Sequence, residues 1–151
     1  MDHSMKAAEL FLSGSNCAQA VAVAFCDVTG LTPEFSAKMA SSFGGGMGRL
    51  REVCGAVSGM LMVAGLLYGY DDPGEEDANK KAHYRLVQEL AAKFREQTGS
   101  IVCREILKNP PSDPNPTPRT EAFYKERPCA RMVIVAAQIL DEYIAQHPIN
   151  G

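Results

Sequence analysis

The sequence predicts an all-α protein, an irregular helical bundle around a central glycine-rich apolar helix. Residues that begin and end helices recur along the chain, and no segment alternates apolar and polar residues as a strand does. One stretch, residues 53–70, carries no charged residue over 18 positions. Since a chain of 151 residues without internal repeats is most simply one folding unit, we expect a single helical domain over residues 1–151.

The first three helices are predicted from the capping residues at their ends. Serine, asparagine and threonine accept hydrogen bonds from the free N–H groups of a first turn, and glycine often closes the last turn. The predicted spans, from cap to closing glycine, are Ser4–Gly14, Asn16–Gly30 and Thr32–Gly44.

The fourth predicted helix is the uncharged segment itself, residues 53–70, apolar on every side. Its length is at the lower limit for crossing a bilayer. However, it contains four glycines, acidic residues flank it, and no second segment of this kind occurs. These features favour a helix inside the protein core over a membrane span.

A long amphipathic helix is predicted over residues 75–98. Its first turn is acidic, which suits the positive end of a helix dipole, and Gly99 ends it. An apolar residue recurs every four positions and forms one core-facing stripe. The residues of this stripe are Ala82, Leu86, Leu90 and Phe94.

Two further helices are predicted on either side of a proline-rich segment. Ser100 caps a short helix over residues 101–107, and the last helix starts at Pro128 and runs to about Gln146. Residues 109–119 contain five prolines in eleven positions, so this segment is predicted to be an extended surface connection.

Four of the five cysteines fall at the beginning of a predicted helix: Cys17, Cys54, Cys103 and Cys129. Free backbone N–H groups there favour negative charge, so this position is expected to lower a thiol pKa. Cys17 and Cys129 also continue the apolar stripes of their helices, which predicts that both thiols point inward. Cys26 lies two and a half turns after Cys17 and faces the opposite side, so we treat it as a bystander.

A simpler interpretation of the cysteines stays open. Free cysteine is often buried as a small apolar residue. The chain has no C-x-x-C motif of the thioredoxin, zinc-ribbon or ferredoxin type, so any shared site would exist only in the fold.

The segment SFGGGMGRLREVCGAVSGM, residues 42–60, contains the most distinctive pattern. Together with the early SNCAQAV and two later isolated cysteines, it resembles the bacterial and archaeal family of small redox-active proteins named Cys…GCAxxG…Cys…Cys. The resemblance covers nearly the whole chain, and its core motif here is C-G-A-V-S-G at residues 54–59. It implies redox activity or metal binding at Cys17, Cys54, Cys103 and Cys129, whereas Cys26 matches no family position.

With this resemblance, the glycine-rich loop becomes a candidate part of the site. Its amides can turn inward as an anion nest and donate hydrogen bonds to a thiolate or to cluster sulfurs, with Arg51 nearby. The glycines of the following helix let a neighbouring helix or an inorganic centre approach the backbone. The alternative is that this loop is only a flexible linker between the third and fourth predicted helices. The residues expected to contact a cofactor are Gly44, Gly45, Gly46, Gly48, Arg49, Gly55 and Gly59.

Three functional hypotheses remain open at this point. The first is an iron–sulfur or other metal centre held by the four cysteines, used for electron transfer or redox sensing. The second is a metal-free thiol–disulfide protein that exchanges with a redox partner. The third is a non-redox interaction module with structural zinc or buried cysteines. Whether the protein turns over a substrate, and whether it forms a homo-oligomer, are left open.

The composition of the chain bears on its binding partners and on its cellular compartment. The formal net charge of −3 gives no indication of a nucleic-acid surface. Five cysteines behind an N-terminus without a secretory pattern predict a reducing compartment, the cytoplasm. His3, His83 and His147 are expected at the surface rather than as ligands.

Overall fold

A computed structural model of the chain describes residues 2–149, and it confirms the all-α prediction. Within that range no β-strand occurs, and the one β-bridge pairs Val53 with Val102. The helical elements are α1 Ser4–Leu12, α2 Cys17–Ala24, α3 Cys26–Thr29, α4 Pro33–Ala40, α5 Gly44–Met47, α6 Gly55–Tyr68, α7 Ala78–Thr98, α8 Cys103–Ile106, α9 Glu121–Glu126 and α10 Cys129–Gln146, with 3₁₀ turns at Ser41–Phe43 and Glu75–Asp77.

Several predicted caps are confirmed. The Asn16 side chain accepts from the Gln19 N–H, and the Gln19 side chain accepts from the Asn16 N–H, which completes a capping box on α2. The Thr32 hydroxyl accepts from the Phe35 N–H, with Pro33 in the first position of α4. Gly30 and Gly99 close their helices in the left-handed conformation, as expected for glycine.

Several helix boundaries differ from the prediction. Helix α4 ends at Ala40, before the predicted Gly44, and a 3₁₀ turn follows it. The second predicted helix is interrupted at Phe25, whose N–H bonds the carbonyl of Ala22, so that α2 and α3 are separate. Helix α7 begins at Ala78 because Glu76 and Asp77 have positive φ angles, 52° and 59°. Helix α8 begins only at Cys103, since the two residues before it pair with the segment ahead of α6.

Helix α6 is the central helix, but it is shorter and less completely covered than predicted. It begins at Gly55, and the side chain of Leu66 is half exposed. Gly59 packs directly on α2, where an added Cβ would lie 2.7 Å from the carbonyl oxygen of Ala18. Within residues 2–149, no helix combines the length and apolar character needed to cross a membrane.

The core lies between α1, α2, α6, α7 and α10. The predicted α7 stripe is confirmed for Leu86, Leu90 and Phe94, which are buried, whereas Ala82 is exposed. Cys129 continues a buried stripe of α10 as predicted, and the buried residues of that stripe are Val133, Ala136 and Leu140. This packing fixes the positions of the first turns of α2, α6 and α10.

His3 was expected at the surface, and this expectation is wrong. Its side chain is buried, with 5% of the residue exposed. Nδ1 lies 2.6 Å from Asp141 and Nε2 lies 2.9 Å from Asp27, while the ring stacks on Phe25. Two carboxylates replace the water that the imidazole would otherwise bind. His147 is exposed as expected, and His83 is half-buried.

Candidate functional site: a cysteine- and arginine-lined cavity

Four cysteines line one cavity of about 290 Å³ where several helices begin. They are Cys17, Cys54, Cys103 and Cys129, and all are free thiols. Cys26 does not line this cavity. Of the other predicted contact residues, Gly59 lies away from the cavity against α2. The remaining six line it: Gly44, Gly45, Gly46, Gly48, Arg49 and Gly55.

Cys17 is held by the capping box at the start of α2. The Asn16 side chain that caps this helix also donates to the carbonyl of Ser41, which joins it to the approach of the glycine-rich segment. An added Cβ at Gly44 would lie 2.5 Å from the Asn16 side chain. The glycine segment therefore packs on the cap that orients Cys17.

Cys54 and Cys103 are positioned by the two short segments that meet in the β-bridge. The N–H of Cys54 donates to the carbonyl of Ile101 at 2.8 Å, and the N–H of Cys103 donates to the carbonyl of Glu52 at 2.6 Å. Gly46 makes room for Cys103, because an added Cβ there would lie 2.6 Å from the Cβ of Cys103. Gly46 also has a φ of 71°, a conformation that glycine adopts without strain.

Cys17 and Cys129 affect each other's ionisation inside the cavity. Interaction with the Cys17 thiol lowers the pKa of Cys129 to about 7, against the opposing effect of burial. The guanidinium groups of Arg127, Arg119 and Arg51 act in the same direction. Interaction with Cys129, together with burial, raises the pKa of Cys17 well above its ordinary value. Cys129 is half-buried, whereas Cys17 is buried.

The expectation that a helix start lowers every thiol pKa is wrong for three of the four cysteines. Burial raises the pKa of Cys54 to about 12, although backbone N–H groups of α6 oppose it. Burial also raises the pKa of Cys103, despite the nearby Arg51. Desolvation outweighs the helix terminus when a thiol is almost fully buried. Among the four, only Cys129 has a lowered pKa, because of its interaction with the Cys17 thiol and the charges of three arginines.

Four arginines line the cavity, and among the described residues no aspartate or glutamate does. Arg51 is the most buried, with 4% exposed. Its Nε donates to the carbonyl of Pro111, its Nη1 lies 3.7 Å from the sulfur of Cys103, and its buried Nη2 has no hydrogen-bond partner. The other three are Arg49, Arg119 and Arg127.

The proline-rich connection forms a wall of the cavity rather than only a surface link. It holds Arg49, whose Nε donates to the carbonyl of Asp113 and whose Nη1 donates to Thr117. Arg119, at the end of the connection, donates to the carbonyls of Phe11 and Ser15. Prolines 114 and 116 line the cavity. The connection thus crosses back over the beginning of α2.

A family model described as "Putative redox-active protein (C_GCAxxG_C_C)" matches residues 15–143. The chain belongs to this family. The resemblance drawn from the sequence is therefore confirmed, and the matched range contains the whole cavity except Phe11. Neither a curated protein nor a solved structure matches the chain.

In this member of the C_GCAxxG_C_C family the four thiols share a cavity but are not grouped as metal ligands. Within residues 2–149, no three His, Cys, Asp or Glu side chains stand close enough together to hold one metal ion. The donor types suit zinc or an iron–sulfur cluster.

Sequence reasoning missed Arg119, Arg127 and the wall formed by residues 109–119. Helix α9, capped by the Thr120 hydroxyl, was also missed because it is short and follows the prolines. One signal was present in the sequence: Arg127 stands two residues before Cys129. An arginine so close to a cysteine is a charge that can stabilise its thiolate.

Proposed function

We propose that this protein carries out thiol–disulfide redox chemistry, with Cys129 as the attacking thiol and Cys17 as its disulfide partner. The observation that carries the proposal is that Cys17 and Cys129 line one cavity together with four arginines, where the pKa of Cys129 is lowered to about 7. Membership of a redox-active family supports a redox role in general. We also propose the cytoplasm as the setting, because free thiols persist in a reducing compartment.

The two thiols differ in the way that successive steps of disulfide exchange require. With a pKa of about 7, Cys129 is substantially a thiolate at neutral pH, and the thiolate is the nucleophile. Its attack on a disulfide releases one thiolate and leaves a mixed disulfide on Cys129. Cys17 then loses its proton, attacks the Cys129 sulfur and releases the second thiol. Two cysteine thiols have been oxidised to one disulfide, and the substrate disulfide has been reduced to two thiols.

Cys17 is suited to the second step because its high pKa keeps it protonated until the mixed disulfide forms. Once the mixed disulfide has formed, the negative charge of Cys129 is gone and no longer raises the pKa of Cys17. Cys54 and Cys103 are buried thiols with raised pKa values, so they are poor initial nucleophiles.

The proposal is tested by oxidising the reduced protein with bis(2-hydroxyethyl) disulfide and mapping the products by mass spectrometry. The wild type should form a disulfide between Cys17 and Cys129. Cys17→Ser should accumulate a mixed disulfide on Cys129, since the resolving thiol is gone, and Cys129→Ser should form neither product. Cys26→Ser is the matched control and should behave like the wild type, because Cys26 lies outside the cavity. A mixed disulfide on Cys54 or Cys103, or a bridge between those two, would contradict the assignment.

A second candidate is a metal or iron–sulfur centre held by Cys17, Cys54, Cys103 and Cys129. One observation favours it: all four thiols border the same cavity. A single bound metal ion requires the thiols to stand closer together than in this structure. Protein purified without oxygen would then contain iron with acid-labile sulfide, or zinc. Cys54→Ser and Cys129→Ser should each remove the metal, whereas Cys26→Ser should not. Metal-free protein whose five cysteines all titrate as thiols after unfolding would exclude this candidate.

A further inference from the structure

The charge inside the cavity is opposite to that of the chain. The chain has a formal net charge of −3, yet four arginines and no carboxylate line the cavity within the described residues. Salt bridges engage only one of these arginines, Arg49, with the exposed Asp113; Arg51, Arg119 and Arg127 form none among residues 2–149. A concave, low-dielectric surface of one sign concentrates ligands of the opposite sign.

Arg51 lacks the partner that a buried guanidinium requires. Only 4% of the residue is exposed, and its Nη2 is buried without a hydrogen-bond acceptor. Leaving a buried charge unpaired is costly, and a carboxylate satisfies an arginine with two parallel hydrogen bonds. Arg119 and Arg127 are held over aromatic rings, with Arg127 5.2 Å from the ring of Phe123. Arg127 forms no side-chain hydrogen bond within residues 2–149, so its donor groups stay free for a ligand, whereas Arg119 already donates to two backbone carbonyls.

The size and walls of the cavity indicate an organic ligand rather than a single inorganic anion. A volume of about 290 Å³ is close to the lower end of the range for small-molecule sites. Apolar side chains such as Ile106, Leu107 and Met132 complete the lining. A ligand with short apolar carbon chains and acidic ends would match both parts of the surface.

We propose that the substrate of this cavity is a small disulfide that carries carboxylate groups, and that Arg51 binds one of these carboxylates. This inference rests on the proposed thiol–disulfide function and names its substrate class. The sulfur–sulfur bond then lies among the cysteines, while the arginines neutralise the acidic ends. Cys129 and Cys17 each lose a proton and together supply two electrons, and the disulfide leaves as two carboxylate-bearing thiols.

The test compares three disulfides of similar size and different charge: 3,3′-dithiodipropionate, bis(2-hydroxyethyl) disulfide and cystamine. Their rates with the reduced protein are each divided by the rate of the same disulfide with dithiothreitol in 1 M salt. Salt at this concentration screens the charge of the dithiothreitol thiolate, so the division removes intrinsic reactivity without adding a charge preference. We expect the anionic disulfide to react about tenfold faster than the neutral one on this scale, at the low end of electrostatic steering. Cystamine should be the slowest.

Variants distinguish the effect of Arg51 inside the cavity from the effect of the net charge of the protein. Arg51→Gln should bring the anionic and neutral rates to within about threefold, since a local charge is removed from the cavity. Arg95→Gln removes the same charge from an exposed position on α7 and should retain the preference. Because Arg51 is buried, Arg127→Gln serves as a second cavity variant that does not depend on the folding of Arg51→Gln. It should reduce the preference as well.

Binding is measured separately by calorimetry with 3,3′-dithiodipropionate and Cys129→Ser protein, which cannot exchange through that thiol. Loss of this binding when Arg51→Gln or Arg127→Gln is introduced into the Cys129→Ser protein supports the inference. Equal normalised rates for the three disulfides would overturn the substrate class and leave the thiol chemistry standing. Binding without any exchange in the wild type would instead overturn the proposed function while keeping the anion site. A protein that neither binds 3,3′-dithiodipropionate nor exchanges with any of the disulfides would overturn the proposed function and the substrate class together.

Discussion

The Nη1 of Arg51 lies 3.7 Å from the sulfur of Cys103, inside the cavity. Arg51 comes from the segment ahead of α6 and Cys103 from the start of α8, and the β-bridge of Val53 with Val102 brings them together. The contact joins the most buried charge of the cavity to one of its least reactive thiols.

This contact predicts the reactivity of Cys103. Burial raises its pKa, and Arg51 opposes that increase. Arg51→Gln should therefore raise the pKa of Cys103 further and slow its alkylation by iodoacetamide at mildly alkaline pH. Peptide mass spectrometry gives the rate for each cysteine. Arg95→Gln is the control, and an unchanged Cys103 rate in Arg51→Gln would show that the contact has no electrostatic effect.

Cys129 should have the most acidic thiol of the cavity. Its alkylation rate should rise with pH and level off above its pKa of about 7. Cys17→Ala removes the interaction that contributes most to this low value, so the midpoint should move to higher pH. Arg127→Gln should move it in the same direction. A midpoint that stays near the ordinary thiol value of 9.0 in the wild type would contradict the interaction of the two thiols.

Gly46→Ala should destabilise the protein. The new Cβ would lie 2.6 Å from the Cβ of Cys103 and 2.9 Å from the Cα of Arg51, at a φ of 71°. Overpacking and the left-handed conformation together should cost about 2 to 4 kcal/mol in the free energy of unfolding, measured by urea titration. Gly30→Ala is the matched control, since Gly30 has a φ of 80° with no atom nearby. An equal loss in both variants would show that strain alone, and not the contact with Cys103, decides the effect.

His3 should make stability depend on pH. Burial lowers the pKa of His3, but its hydrogen bonds to Asp141 and Asp27 outweigh this effect, so the folded-state pKa lies above the ordinary 6.5. Protonated His3 therefore stabilises the fold. This contribution is complete below about pH 6.5 and is lost as the pH rises through the folded-state pKa.

The measurement is the free energy of unfolding of the wild type and His3→Gln at pH 6 and pH 8.5. The wild type should be the more stable at pH 6, and the difference should shrink at pH 8.5. His147→Gln, at an exposed position, should show no such change. A difference that is constant with pH would mean that His3 contributes through packing on Phe25 and not through its charge.

Local sequence signals predicted most of the fold because they act within one helix. The Asn16–Gln19 capping box and the closing Gly30 and Gly99 depend on a few neighbouring residues. The errors occurred where distant contacts override local preference. Helix α8 is shortened because Ile101 bonds Cys54, and Phe25 breaks the second helix where it packs against His3.

The features of the site also fall into two groups, those that local sequence signals predicted and those that depend on distant contacts. The four cysteines and most of the glycine-rich loop were identified from helix starts and from the family resemblance. The pKa values of the thiols were not predicted correctly, since the pKa of a thiol depends on burial and on charges from other segments. Arg119 reaches the cavity only because the proline-rich connection crosses back over the beginning of α2.

The sequence by itself determined the helical class, the family and the four cysteines that line the cavity, because these follow from periodicity, caps and an ordered motif. Only the tertiary structure decided that arginines surround these thiols and that Cys129 alone among the four has a lowered pKa. The physical reason is that interactions between thiols, desolvation and unpaired charge are properties of groups brought together from distant parts of the chain.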